Sequence, residues 1–108
     1  MWHRIAQTAC CVGLFAGVFA AQTPARIDFG QDVAPILRQN CVSCHGPSQQ
    51  MGNLRLDRKS SVLTSRRVVP GGLENSLLYH RLIGDDLYGP QMPPTGQLRA
   101  KQISTIRS

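Results

Sequence analysis

The sequence predicts a small all-α domain, and three observations predict it. Apolar residues in the longer segments recur at helical spacing rather than in alternation. Gly46-Pro47, Pro70-Gly71-Gly72 and Gly84 fall between those segments as breaks. The 108 residues suffice for one small domain, and no βαβ pattern is present.

The stretch around which the rest is arranged is Cys41-Val42-Ser43-Cys44-His45. This is a C-x-x-C-H sequence, the attachment signature of a c-type haem. Two residues between the cysteines let one helical turn present both sulfurs to one porphyrin edge. The adjoining His45 then offers an imidazole nitrogen as proximal iron ligand. Two other readings compete: a Cys41–Cys44 disulfide or redox dithiol, and a zinc site. A thioredoxin-type dithiol is expected near a βαβ pattern, and zinc needs two more ligands at suitable spacing. The other cysteines, Cys10 and Cys11, lie in a segment predicted to be removed. A covalent haem would also supply the apolar bulk that a chain of this size lacks.

The formal net charge is +6. The positive residues are scattered from Arg26 to Arg107 without a long basic run, and aromatics make up 6% of the chain. This pattern argues against nucleic-acid binding. It suits an acidic redox partner protein, with a generally soluble basic surface as the equal alternative.

Residues 1–20 read as a secretory signal peptide. His3 and Arg4 precede an apolar run from Ala9 to Ala21, and Val18-Phe19-Ala20 offers small residues for cleavage after Ala20. Contact with a membrane is expected only if this segment is retained. Residues 21–27 form a polar linker, and the domain spans 28–108.

The first helix is predicted over Phe29 to Asn40, with Phe29, Val33, Ile36 and Leu37 on one side. Asp32 is the expected N-cap, because it places Pro35 in the first turn, where a missing N–H costs little. Gly46 turns the chain away after His45 without a side chain striking a bound ring. The carbonyl of Pro47 is the expected acceptor for the second imidazole nitrogen of His45. Leu54 and Leu56 are candidates to line a haem, with Arg55 facing a propionate; a short extended piece with a surface arginine is the plainer reading. A short helix is expected over Ser60 to Ser65, with Val62 and Leu63 inside. The next helix runs from Glu74 to Ile83 and clusters Leu73, Leu77, Leu78 and Leu82. His80 falls opposite that face and reads as a surface histidine.

Tyr88-Gly89-Pro90-Gln91-Met92-Pro93-Pro94 carries the second chemically loaded residue. A thioether is a soft neutral ligand for haem iron, so Met92 is the candidate distal ligand. Met51 follows His45 too closely to reach the opposite haem face. A last helix begins near Leu98, with Ile103 and Ile106 apolar.

Taken in order, Asp32-Val33-Ala34-Pro35-Ile36-Leu37, the C-x-x-C-H stretch with Gly46-Pro47, Leu54-Arg55-Leu56-Asp57, Pro70-Gly71, Asn75-Ser76-Leu77-Leu78-Tyr79 and Met92-Pro93-Pro94 resemble the planctomycete-type cytochrome c domain. The resemblance covers about residues 28 to 108. It implies an all-α, class I cytochrome c-like fold around one covalent haem. It also implies thioether bonds at Cys41 and Cys44, with His45 proximal and Met92 distal. The last helix is shorter than the family's usual one, so the chain is expected to be a fragment of a longer product or a truncated one.

The function expected is therefore that of an exported, periplasmic or secreted monohaem carrier of single electrons. No Ser-His-Asp set, phosphate loop or pair of catalytic carboxylates suggests an enzyme. The alternative is a haem-binding accessory or sensor domain of a larger secreted enzyme, with an open distal site.

Overall fold

The structure, a computed structural model, describes residues 17–108. The expected signal segment lies for the most part outside the described residues. Residues 17–28 have no regular secondary structure and are exposed.

The ordered fold opens with a π-helical turn, Phe29–Val33, which passes directly into α1, Ala34–Asn40. Two carboxylates hold the entry. Asp28 accepts the Gln31 N–H at 2.8 Å, and Asp32 accepts the Asp28 N–H at 2.7 Å. Pro35 sits in the first turn of α1, as expected, but the N-cap is Val33 rather than Asp32. Asp32 is spent one turn earlier, on the π turn, and cannot also cap α1. The inner face of α1 buries Leu37, which is 2% exposed, with Val33 and Ile36 half-buried beside it.

Helix α2 spans Lys59–Thr64 and buries Val62. Leu63 was expected inside but points outward and is 45% exposed. A helix this short has one buried stripe, and adjacent residues on it diverge by about 100°.

Helix α3 spans Leu77–Ile83, shorter than the segment from Glu74 that periodicity suggests. Leu73–Asn75 instead forms a 3₁₀ turn, and Ser76 breaks the helix with φ −92° and ψ 102°. The cause is the Ser76 hydroxyl. It accepts the Val69 N–H at 2.9 Å and donates to the Gly72 carbonyl at 2.9 Å. Buried in this way, it serves the Val69–Gly72 turn and does not cap α3. Leu78 and Leu82 form the buried face of α3, and Gly84 closes the helix in the left-handed region.

Helix α4 spans Ala100–Arg107, and the Gln102 side chain accepts the Arg99 N–H at 2.9 Å at its start. Leu98 precedes the helix but is already part of the core. Helix α4 packs on α3 and on the Phe29–Val33 turn, so the first and last helical segments touch. One core results: Leu37, Cys41, Leu56, Val62, Leu78, Leu82 and Leu98, with Phe29, Leu54, Val68, Ile103 and Ile106 packed against it. The fold is all-α, as expected. Among the described residues there is no strand, only an isolated antiparallel bridge between His45 and Gln50. No described helix is long and apolar enough to cross a membrane.

Candidate functional site

Helix α1 ends at the cysteines. The N–H groups of Cys41 and Val42 both reach the Leu37 carbonyl, at 2.8 and 3.0 Å. The Cys41 carbonyl in turn accepts from Cys44 at 3.1 Å and from His45 at 2.8 Å. Residues 41–45 are thereby wound onto the end of one helix, which carries both thiols on a single turn.

The chain then closes a loop behind His45 using backbone atoms. Gly46 N–H bonds to Gln49 O at 2.7 Å, Met51 N–H to Cys44 O at 2.9 Å, and Leu56 N–H to His45 O at 2.8 Å. His45 is held at both its N–H and its carbonyl, and its ring can pivot only about its own side-chain bonds. Gly46 is needed here for a reason within the protein itself. A Cβ at this position would strike the Val42 carbonyl and lie 2.7 Å from Val42 Cγ1. What the missing side chain spares is Val42, the first of the two residues between the cysteines.

Both thiols are free. Cys41 belongs to the core, and burial pushes its thiol up to about 11. Cys44 is half-buried, with the Ser43 hydroxyl 3.9 Å from its sulfur. Among the described residues, no group of three or more His, Cys, Asp or Glu side chains converges as a metal cluster would. Cys41, Cys44 and His45 therefore lack the tetrahedral convergence that zinc asks of them. A porphyrin asks for something different: two sulfurs along one edge and an imidazole below its centre.

His45 Nδ1 is buried with no hydrogen-bond partner. The expected bond to the Pro47 carbonyl is absent, because the Gly46–Gln49 turn takes the chain away from the ring. An unpaired buried polar atom costs about 1–3 kcal/mol. The protein leaves part of this ring's bonding capacity unused, which fits a ring reserved for a bound group.

Arg55 does not point free towards a ligand. Its guanidinium forks onto Asp57, with Nε to Oδ1 at 2.9 Å and Nη2 to Oδ2 at 2.7 Å. This hydrogen bonding holds the Asp57 carboxyl down at about 2. Leu56 is buried in the core and Leu54 packs against it.

The Met92 loop is fastened to the end of α3. Met92 N–H bonds to Arg81 O at 2.9 Å, Arg81 Nη1 to Pro90 O at 3.2 Å, and Gln91 Nε2 to Leu82 O at 3.4 Å. Gly89 has φ 102°, and a Cβ there would lie 2.7 Å from Arg81 Nη2, so the guanidinium reaches the loop only past a glycine. Met92 is half-buried, whereas Met51 is 53% exposed. His80, expected at the surface, is mostly covered, with a side chain 13% exposed and both ring nitrogens engaged within the protein. Sequence spacing gave no sign of this, because its partners lie before and after the helix that carries it. Two surface cavities of about 360 Å³ flank α4, one beside Leu98 and Ile103, the other beside Leu73 and Ile106. Neither is lined by Cys41, Cys44, His45 or Met92.

An all-helical chain that ends its first helix in two free thiols and an adjoining imidazole is built as a c-type cytochrome. The profile of the family described as Planctomycete cytochrome C matches residues 41–96, just over half of the 108 residues, and the chain belongs to that family. No curated protein and no solved structure matches it. Family membership implies covalently bound haem c and the role of an electron carrier rather than a catalyst.

Proposed function

We propose that this chain is an exported monohaem electron carrier, with haem joined to Cys41 and Cys44, His45 as proximal ligand and Met92 as distal ligand. The observation that carries the reading is the turn at the end of α1, where both thiols are free and the His45 ring has a buried nitrogen without a partner. When bound, haem c supplies a reversible one-electron iron couple.

The chain's own residues do the rest. The Cys41 carbonyl gathers the turn so that both sulfurs leave from one helix end. Leu56 fixes the His45 backbone, which leaves ring rotation as the only adjustment needed. Arg81 and Leu82 hold the Met92 loop, which limits the entropy a weak thioether ligand loses on binding. Residues 1–20 act as a cleaved export signal, 21–27 as a linker, and 28–108 as the haem domain. An acidic protein is the proposed redox partner, drawn by the positive charge of residues 21–108, which keep eleven of the twelve Lys and Arg beside all six Asp and Glu.

The test is the intact mass of the chain exported from a host with haem c maturation machinery. The expected mass is that of residues 21–108 plus one haem. A haem-free chain two hydrogens lighter than its thiol form would overturn the reading in favour of a disulfide. Ferric absorption then reports the distal side: the long-wavelength methionine-to-iron charge-transfer band is expected, and Met92→Ala abolishes it and lowers the reduction potential. A high-spin ferric spectrum in the unaltered protein would assign it an open distal site.

A further inference from the structure

Three consecutive residues of α3 grip the segment that follows the helix, but only one of them does so through a side chain with every polar atom engaged. His80 Nδ1 lies 3.1 Å from Asp85 Oδ2, and His80 Nε2 lies 2.8 Å from the Glu74 carbonyl. The ring stacks on Tyr88 with centroids 3.8 Å apart and planes at 12°, and meets the edge of Tyr79 at 5.9 Å. It therefore ties the turn before α3 to the turn after it. Both hydrogen-bond partners are acceptors, so both contacts are hydrogen bonds when each ring nitrogen carries hydrogen.

The far end of this bridge is the base of the Met92 loop. Asp85 Oδ1 also accepts the Leu87 N–H at 3.2 Å, which caps the 3₁₀ turn Asp86–Tyr88. Tyr88 closes that turn, and Gly89-Pro90-Gln91 lead from it to Met92. Among the described residues, no other side-chain hydrogen bond joins the turn before α3 to the start of the loop. Arg81 and Leu82 secure the loop only near Pro90, Gln91 and Met92.

We propose that His80 is a positioning residue for Met92: bonded to Glu74 O and Asp85 under the Tyr88 ring, it sets where the loop leaves α3 and thereby holds the thioether in reach of iron. This rests on Met92 being the distal ligand. His80 itself has no ring nitrogen to spare for iron. Its effect passes through the loop.

The experiment uses the haem-loaded protein and two variants. His80→Phe retains an aromatic ring against Tyr88 and removes both hydrogen bonds. Tyr88→Leu removes the stack at a residue 41% exposed, where folding tolerates the change. The readouts are the methionine-to-iron charge-transfer band and the binding of added imidazole, which competes with Met92 for ferric iron. Both variants are expected to keep their covalent haem, lose intensity in the band and bind imidazole about tenfold more tightly, the scale of one or two lost hydrogen bonds in His80→Phe and of a lost aromatic stack in Tyr88→Leu. A band and an imidazole affinity unchanged in both variants would overturn the proposal. If His80→Phe does not fold around haem, Tyr88→Leu alone decides the matter in the same way. A band absent from the unaltered protein would instead remove Met92 as ligand, and the positioning role with it.

Discussion

Arg55 and Asp57 form the best-aligned ion pair in the described chain, with both guanidinium bonds under 3 Å. The Asp57 carboxyl titrates at about 2 because Arg55 bonds to its charged form. An unfolded carboxyl titrates near 4, so the unfolded chain binds the extra proton in that interval. The stability due to the pair is thus complete above about pH 4 and is lost as pH falls from about 4 towards 2. Acid unfolding of Asp57→Asn should lack this component, giving a shallower loss of stability over that window than the unaltered protein shows. The effect is modest, since both side chains are partly exposed at 24% and 16%. Gly46 gives a second residue-scale prediction. Gly46→Ala forces a Cβ against Val42, so the yield of haem-attached protein should drop several-fold, measured as the ratio of haem absorbance to total protein, while Gly30→Ala, whose Cβ would meet only Asp28 Oδ1 at 3.4 Å, should change that ratio little. At this scale the sequence was legible where spacing sets a local turn, as in the C-x-x-C-H stretch that the structure winds onto the end of α1. It was opaque where a partner is chosen by the folded chain. Nothing in Leu54-Arg55-Leu56-Asp57 says whether Arg55 faces a ligand or the aspartate two residues on.

The elements are short, and each depends on a few buried side chains. Leu82 is 1% exposed and central to α3, so Leu82→Ala should destabilise the protein by roughly 2–5 kcal/mol in chemical denaturation. Ser76→Ala should lose about 1–3 kcal/mol, because the Val69 N–H would be left without its partner and the Gly72 carbonyl would keep only the Asn75 N–H. These costs explain why the boundaries were harder to read than the helices themselves. Leucine spacing announces α3, but it cannot reveal that a buried hydroxyl at Ser76 serves a neighbouring turn and cuts the helix short. Asp28 and Asp32 posed the same difficulty. Either can cap a helix on paper, and in the fold they cooperate on a π turn that helical periodicity does not distinguish from an α-helical one.

Over the whole molecule, the contact of α4 with α3 and the Phe29–Val33 turn joins the two ends of the domain around one core that includes Cys41. The all-α class was readable because length, helical periodicity and the C-x-x-C-H turn agree with one another. The global charge sets a prediction of its own. With eleven Lys and Arg against six Asp and Glu in residues 21–108, electron transfer to an acidic partner should slow as ionic strength rises from about 0.01 to 0.15 M, where the screening length contracts from about 30 to 8 Å. Stopped-flow rates across that range measure it, and a flat profile would remove electrostatic steering. The lacing of the Met92 loop onto consecutive residues of α3 has a consequence for how the protein opens. The amides of Asp85 and Met92 are bonded to the carbonyls of His80 and Arg81, so the segment after α3 is held to the wound helix end at two points. Loop and helix then form one cooperative unit, and native-state hydrogen exchange at Asp85 and Met92 should report the same opening free energy as the interior amides of α3.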